Sequence, residues 1–339
     1  MKPFFQFDTA AHRNSLLNRA RGVALSALQQ YDLAWEQIQF IGLSDTITYK
    51  IKTSTGEAYL LRIHSDHMSQ EEIISELKFL QALNQCSDLA VPVGVVSRNG
   101  AHVLEMETEA GYRRPFITMM HWVEGEHASG EITESQAYYM GRLMGKLHEA
   151  AVNFIPASDF VRPTWDADSF RRKMNRLERY HSCFLSPEGW ALYQAAANKI
   201  VSELSIMRPE IHNFGLIHAD LHPGNIVFND GMPYPIDFGM CGYGYFLFDM
   251  GGALVGLHTK PRHAFIEGYK SVRNLDNDYL KQLECFFIMA MIENYCHHAS
   301  DPRETDGLVQ EQPLAQAYIK AYLEGTPFLL NAIELGDTC

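Results

Sequence analysis

Three oxygen-bearing side chains fall within one short stretch of the chain: Asp220, Asn225 and Asp237. A carboxylate can take up a proton, and carboxylate and amide oxygens are the ligands that a hard cation accepts. Between Asn225 and Asp237, Ile226-Val227-Phe228 and Tyr234-Pro235-Ile236 flank the turn Asn229-Asp230-Gly231. That pattern predicts a hairpin that sets Asn225 beside Asp237. His218 and His222 have the spacing of a transition-metal pair, but Pro223 and Gly224 end any helix that would bring both rings to one face, which argues against zinc. The plainer alternative is a loop in which Asp220 makes a turn and Asn225 caps it, both common uses of such residues.

The order His218-Ala219-Asp220, then Asn225, then Ile236-Asp237-Phe238-Gly239 resembles the H-x-D-x-x-x-x-N and D-F-G elements of protein kinases. With Leu221-His222-Pro223-Gly224 filling the interval, the stretch more closely resembles the aminoglycoside phosphotransferase and choline kinase-like family. The resemblance implies an α+β, bilobal, protein-kinase-like fold, with an N-terminal lobe built on an antiparallel sheet and a mostly helical C-terminal lobe. It implies ATP-dependent transfer of the γ-phosphoryl group to a hydroxyl of a small molecule: an aminoglycoside-like antibiotic, an amino alcohol or a related metabolite. The implied cofactors are ATP, or GTP in its place, and Mg²⁺. Asp220 takes the role of catalytic base, Asn225 and Asp237 complete the catalytic set as Mg²⁺ ligands, and His218 supports the loop by hydrogen bonding. Such chemistry asks for positioning and charge neutralisation more than covalent help. The rival readings are a nucleotide-binding pseudokinase acting as a regulatory module, and a protein serine/threonine kinase. The latter lacks an activation segment: Ala219 stands before Asp220 and no Ala-Pro-Glu follows Asp237.

Elements earlier in the chain must supply the nucleotide's other contacts. A helix is expected over 9–31, then three short strands broken at 42–45 and 54–56, read as an antiparallel meander. In the third strand Leu60, Arg62 and His64 share one face. The capping box Ser69-x-x-Glu72 opens a helix through about residue 83, which places Glu76 against its apolar stripe. A carboxylate there needs a cation, and Arg62 is the one the sheet offers. In the family resemblance this pair holds the nucleotide phosphates, with arginine where protein kinases usually carry lysine. Gly42 and Ser44 stand where a phosphate-covering loop belongs, although a plain hairpin turn reads the same way. Further strands are expected at 91–96, 101–106 and 116–122, with Met120, His121 and Trp122 against the adenine and Glu124-Gly125-Glu126 as linker. The division expected is an N-terminal nucleotide-binding lobe at 1–121 and a C-terminal lobe with catalytic loop and substrate site at 122–339.

That second lobe reads as helical, with Thr133-x-x-Gln136 capping one helix and Ser186-Pro187 opening another. Asp249 reads as the N-cap of a helix starting there. Acceptor contacts are expected among Glu267 to Tyr269, Glu284, Glu293 to His298, Tyr243 and Tyr245, against the alternative of ordinary core and surface. A net charge of −13 over 339 residues argues against nucleic acid and suits a cationic or neutral hydroxylated small molecule. No run approaches the roughly 18 apolar residues of a membrane span, and the first residues do not read as a secretory signal, so no membrane partner and a cytoplasmic location are expected. Six cysteines without a C-x-x-C pair read as buried free thiols. The sequence leaves the oligomeric state open.

Overall fold

A computed structural model describes residues 1–86 and 89–333 of the chain. The backbone groups into two units, one of Met1–Glu124 with Phe154–Arg162, the other of Gly125–Asn153 with Pro163–Cys339. The segment 154–162, expected with the second half, groups with the first.

In the first unit α1 (Ala10–Leu28) begins at Thr9, whose hydroxyl accepts from the His12 N–H. The meander follows as β1 (Trp35–Leu43), β2 (Thr46–Thr53) and β3 (Ala58–His64), and then α2 (Gln70–Leu83) with its Ser69–Glu72 capping box in place. Next come β4 (Gly94–Val95), β5 (Val103–Glu105) and β6 (Phe116–His121). The sheet runs β1-β2-β3-β6-β4, with β5 also on β6, and every pairing is antiparallel. Tyr59, Leu61 and Ile63 join Ile47, Ile51, Ile117 and Met119 in one core with Leu16, Ala20, Ala24 and Leu28 of α1. Period-two alternation therefore turns Arg62 and His64 to the opposite face. The strand expected over 91–96 shrinks to two residues: Pro92 has no N–H to donate, and Val93 and Val96 are exposed.

In the second unit α3 (Glu134–Asn153) is followed by β7 (Thr164–Trp165), α4 (Ala167–Leu177), α5 (Pro187–Ile206) and β8 (Phe214–Ile217). The hairpin β9 (Ile226–Asn229) and β10 (Met232–Pro235) leads to β11 (Gly242–Tyr245), which pairs antiparallel with β8 and parallel with β7. Four helices complete it: α6 (Phe246–Val255), α7 (Thr259–Lys270), α8 (Tyr279–His298) and α9 (Thr305–Glu324). Where α3 crosses α7 the backbones nearly touch. A Cβ at Gly141 would stand 1.9 Å from the Phe265 carbonyl oxygen, and one at Gly268 would stand 1.9 Å from that of Tyr138. Among the described residues no helix is long and apolar enough to cross a membrane.

Candidate active site

The loop from His218 to Asn225 leaves β8 and enters β9, so both ends are fixed by sheet hydrogen bonds. Asn225 locks the middle. Its Nδ2 donates to the Asp220 carboxylate Oδ2 at 2.8 Å and to the Asp220 backbone carbonyl at 2.9 Å. One amide nitrogen thereby fixes both the carboxylate and its backbone, while the amide Oδ1 stays an acceptor. The hairpin forms as the sequence predicts, with Tyr234 opposite Val227 and Pro235 opposite Ile226. The Ile236 N–H then donates to the Asn225 carbonyl at 2.9 Å, which brings Asp237 to the strand neighbouring Asn225. Asp237 is left-handed (φ 59°), and its Oδ1 accepts weakly from the Gly239 N–H at 3.4 Å. Asn225 immediately precedes β9 and Asp237 follows β10, so two hard oxygen donors of the kind a magnesium ion takes stand at the same end of the hairpin.

His218 braces the loop. The Asp220 N–H donates to His218 Nδ1 at 3.3 Å, so the ring proton sits on Nε2, which donates to the Ile236 carbonyl at 3.0 Å. The ring also packs on Phe238 at 4.4 Å between centroids. His222 turns to the Gly224 N–H through Nδ1 at 3.0 Å, a use that ends the loop in one helical turn.

In the first unit Arg62 and Glu76 meet as a buried fork, Nη1 to Oε1 at 2.7 Å and Nη2 to Oε2 at 2.8 Å. Burial pushes the Glu76 carboxyl up, but the charge and hydrogen bonds of Arg62 outweigh it and bring the group down to about 2. His64, on the same face, donates to or accepts from Thr118 Oγ1 at 3.0 Å, and burial with the Arg62 charge drives its ring down to about 3, so it is neutral. Gly42 lies at a bulge near the end of β1, and the Ser44 N–H closes the hairpin on the Thr46 carbonyl at 3.0 Å. Met120 is buried, paired with Leu60 and Gly94. The N–H groups of His121 and Trp122 donate to the carbonyls of Val93 (2.9 Å) and Ala58 (3.0 Å), so these two donors are already engaged within the sheet. The Lys50 ammonium rests 3.8 Å over the Trp122 ring.

Residues 37–281 match the phosphotransferase enzyme family. The chain belongs to that family. This phosphotransferase is similar to an uncharacterized protein of Synechocystis sp., 27% identical over 306 residues, 88% of this chain and 79% of that one. It is 24% identical to the amicoumacin kinase of Bacillus subtilis over 231 residues, 67% of this chain and 65% of the relative. Among solved structures, a microcompartment-associated aminopropanol kinase superposes with a TM-score of 0.79 at 24% identity, covering 91% of this chain and 99% of that one. An amicoumacin kinase in complex with AMP-PNP, Ca²⁺ and Ami gives 0.76 at 18% identity, covering 96% and 99%. The family and the bilobal kinase-like α+β class expected from the motifs are thereby borne out.

Two expectations about the phosphotransferase are corrected. Asp249 does not cap a helix: Tyr245 holds that position and Asp249 lies inside the first turn of α6, 2% exposed. Its carboxylate instead accepts from the His218 N–H at 2.9 Å and the Ala219 N–H at 2.8 Å, thirty residues earlier. Most of the residues suggested for the acceptor are, in turn, core or bound to other protein groups. Glu284 accepts from the Phe328 and Leu329 amides, Glu267 pairs with Lys270 on the surface, and Tyr245, Tyr269, Tyr295 and Cys296 are core. Glu293, 5% exposed, pairs with Lys173 at 2.6 Å, and burial raises its carboxyl despite that cation. Of the cysteines, 241, 285 and 296 are buried, Cys183 is exposed and Cys86 is half-buried, while Cys339 lies outside the described residues.

Proposed function

We propose that this phosphotransferase moves the γ-phosphoryl group of ATP, or of GTP in its place, to a hydroxyl of a small molecule, an amino alcohol or an aminoglycoside-like antibiotic. The observation that carries the reading is the clamp of Asn225 on Asp220, which holds one carboxylate in a fixed direction at the end of a braced loop. Asp220 accepts the acceptor's hydroxyl proton and orients its oxygen, because a positioned carboxylate within reach serves as general base. Asn225 Oδ1 and Asp237 are the groups that would hold Mg²⁺, which when bound neutralises phosphate charge. Arg62 is assigned to the nucleotide phosphates by its charge and its place on β3, while Glu76 fixes the direction of its guanidinium fork. Gly42, Ser44 and the strip from Met120 to Trp122 are assigned to the nucleotide by their position alone. An acceptor with an amine agrees with the net charge of −13 and with the substrates after which the similar amicoumacin and aminopropanol kinases are named. The division of labour between a nucleotide-binding first lobe and a catalytic second lobe belongs to the same proposal.

Radiolabelled ATP with Mg²⁺, offered to a panel of amino alcohols, choline, homoserine, aminoglycosides, macrolides and sugars, tests it. Transfer to at least one hydroxyl, lost in Asp220→Asn, is the expected result. Nucleotide binding without transfer to any member of the panel would favour a regulatory module.

A further inference from the structure

The helix that carries Glu76 is gripped by a segment far from it in sequence. Residues 154–162 form neither helix nor strand, yet they group with the first unit and act as a strap along α2. The Phe154 ring meets Phe79 edge to face, with 5.5 Å between centroids, and Phe160 packs on Phe154 at 5.3 Å. The Val161 N–H donates to Ser75 Oγ at 2.8 Å, and Arg162 Nη1 donates to the Glu72 carbonyl at 3.1 Å. Lys78 and Asp159 add an exposed pair at 2.7 Å. Apart from that pair the gripped groups are dry, with Phe79, Ser75 and Arg162 all buried. Glu72, Ser75, Glu76 and Phe79 keep the i, i+3, i+4, i+7 spacing of one helix face, so the strap holds the stripe on which Glu76 stands. Arg162 differs from the other contacts because its charge also acts on the fork. Burial pushes the Glu76 carboxyl up, the charge and hydrogen bonds of Arg62 bring it down, and the Arg162 charge adds to that pull.

We infer that Arg162 is a positioning residue for nucleotide binding: by tying the strap to α2 one turn before Glu76, it holds Glu76 against Arg62 and so sets the direction of the Arg62 guanidinium. The motion it opposes follows from the cost of burying charge. A carboxylate in the middle of a packed stripe regains hydration if its helix turns or slides outward. The fork resists that motion, but a buried ion pair contributes little net stability once the desolvation of both partners is counted. The strap supplies what the fork lacks. A displaced α2 would lose an aromatic contact, a hydrogen bond at Ser75, a hydrogen bond at the Glu72 carbonyl and a cation that favours ionised Glu76. Loss of Arg162 therefore reaches ATP through Arg62, while Asp220 and Asn225 keep the hydrogen bonds of their own loop.

The inference rests on the reading of Arg62 as a contact of the nucleotide phosphates. Its test compares Arg162→Leu, which loses the charge and every donor, with Arg162→Lys, which keeps the charge and a donor, each alone and with Glu76→Gln. The readouts are KM for ATP and kcat in γ-phosphoryl transfer, with water as acceptor where no better one is known, the thermal midpoint, and hydrogen exchange at the amides of 72–79. Arg162→Leu should raise KM for ATP by about 5- to 20-fold, with kcat per folded molecule within about twofold and faster exchange over 72–79. Arg162→Lys should recover most of the affinity. Added to Glu76→Gln, Arg162→Leu should change KM by less than about twofold, because the fork it serves is already broken. An unchanged KM in folded Arg162→Leu, or an undiminished effect on top of Glu76→Gln, overturns the inference. If Arg162→Leu does not fold, Ser75→Ala decides, since it releases the Val161 N–H beside Arg162: a several-fold rise in KM at constant kcat is expected and an unchanged KM is fatal. Wild-type KM for ATP in Arg62→Ala would instead sink the reading of Arg62. Exchange over 72–79 would then judge Arg162 by itself, faster exchange in Arg162→Leu upholding its grip on α2 and wild-type exchange overturning it.

Discussion

Arg62 and Glu76 are bound to each other by two parallel hydrogen bonds, 2.7 and 2.8 Å long, with side chains 4% and 0% exposed. Removing one partner strands the other as a buried charge, which costs on the order of 3–5 kcal/mol. Arg62→Ala and Glu76→Ala should therefore each destabilise the fold and impair ATP use, and the double variant should lose much less than the sum of the two. Additive losses in a double-mutant cycle would separate the pair. The carboxyl also predicts an acid limb. Its folded value of about 2 lies below the ordinary 4.5, so its contribution is fully present above about 4.5 and is lost as pH falls through about 2. Urea unfolding across that window should show the gap between wild type and Glu76→Gln narrowing as pH falls. A gap that stays constant would show that the charge of Glu76 is not what the fold uses.

Asp220 divides an enzyme from a nucleotide-binding module. Asparagine preserves its size and its backbone bonds to Asn225 and His222. If the carboxylate deprotonates and orients the acceptor hydroxyl, Asp220→Asn should lower kcat by roughly 10² to 10⁴ with ATP affinity nearly unchanged. Steady-state kinetics with isothermal titration of ATP distinguishes this from a loop role, in which turnover survives.

Asp237→Ala should weaken nucleotide binding only where Mg²⁺ is present, because the carboxylate is assigned to the metal and not to the nucleotide itself. Thermal-shift titrations with ATP, with and without Mg²⁺, give the comparison. Equal shifts for the variant and the wild type in Mg²⁺ would remove Asp237 from the site.

The sequence carried those features whose rules are local. The α2 capping box and the facing of β3 follow from spacings of two to four residues and formed as read, and the hairpin of β9 and β10 formed too, with its second strand at Met232–Pro235 and not at 234–236. The proximity of Asp220, Asn225 and Asp237 was legible for the same reason, since one loop and one hairpin join them. Asp249 was misread because its partners are backbone amides about thirty residues away, and an acidic residue near a helix start is indistinguishable from a cap until that distance closes. The packing of 154–162 with the first unit was equally hidden, because it depends on contacts such as the Val161 N–H on Ser75 Oγ at 2.8 Å and Arg162 on the Glu72 carbonyl at 3.1 Å.

Glycines supply a prediction whose sign depends on place. In an open helix, glycine to alanine removes backbone freedom from the unfolded chain and stabilises by about 0.5–1 kcal/mol. Gly22 is such a case: it is exposed in α1 and a Cβ there meets nothing within 4 Å, so Gly22→Ala should raise the unfolding midpoint. Gly141 and Gly268 have the same helical backbone, yet their added Cβ atoms would stand 1.9 Å from carbonyl oxygens of the opposite helix, which cannot swing aside as a side chain can. Either substitution must push α3 from α7, and overpacking of that kind costs about 1–3 kcal/mol or more. Gly141→Ala and Gly268→Ala should therefore lower stability while Gly22→Ala raises it. Chemical denaturation of the three proteins provides the check, and a neutral Gly141→Ala would show that the two helices do not meet backbone to backbone.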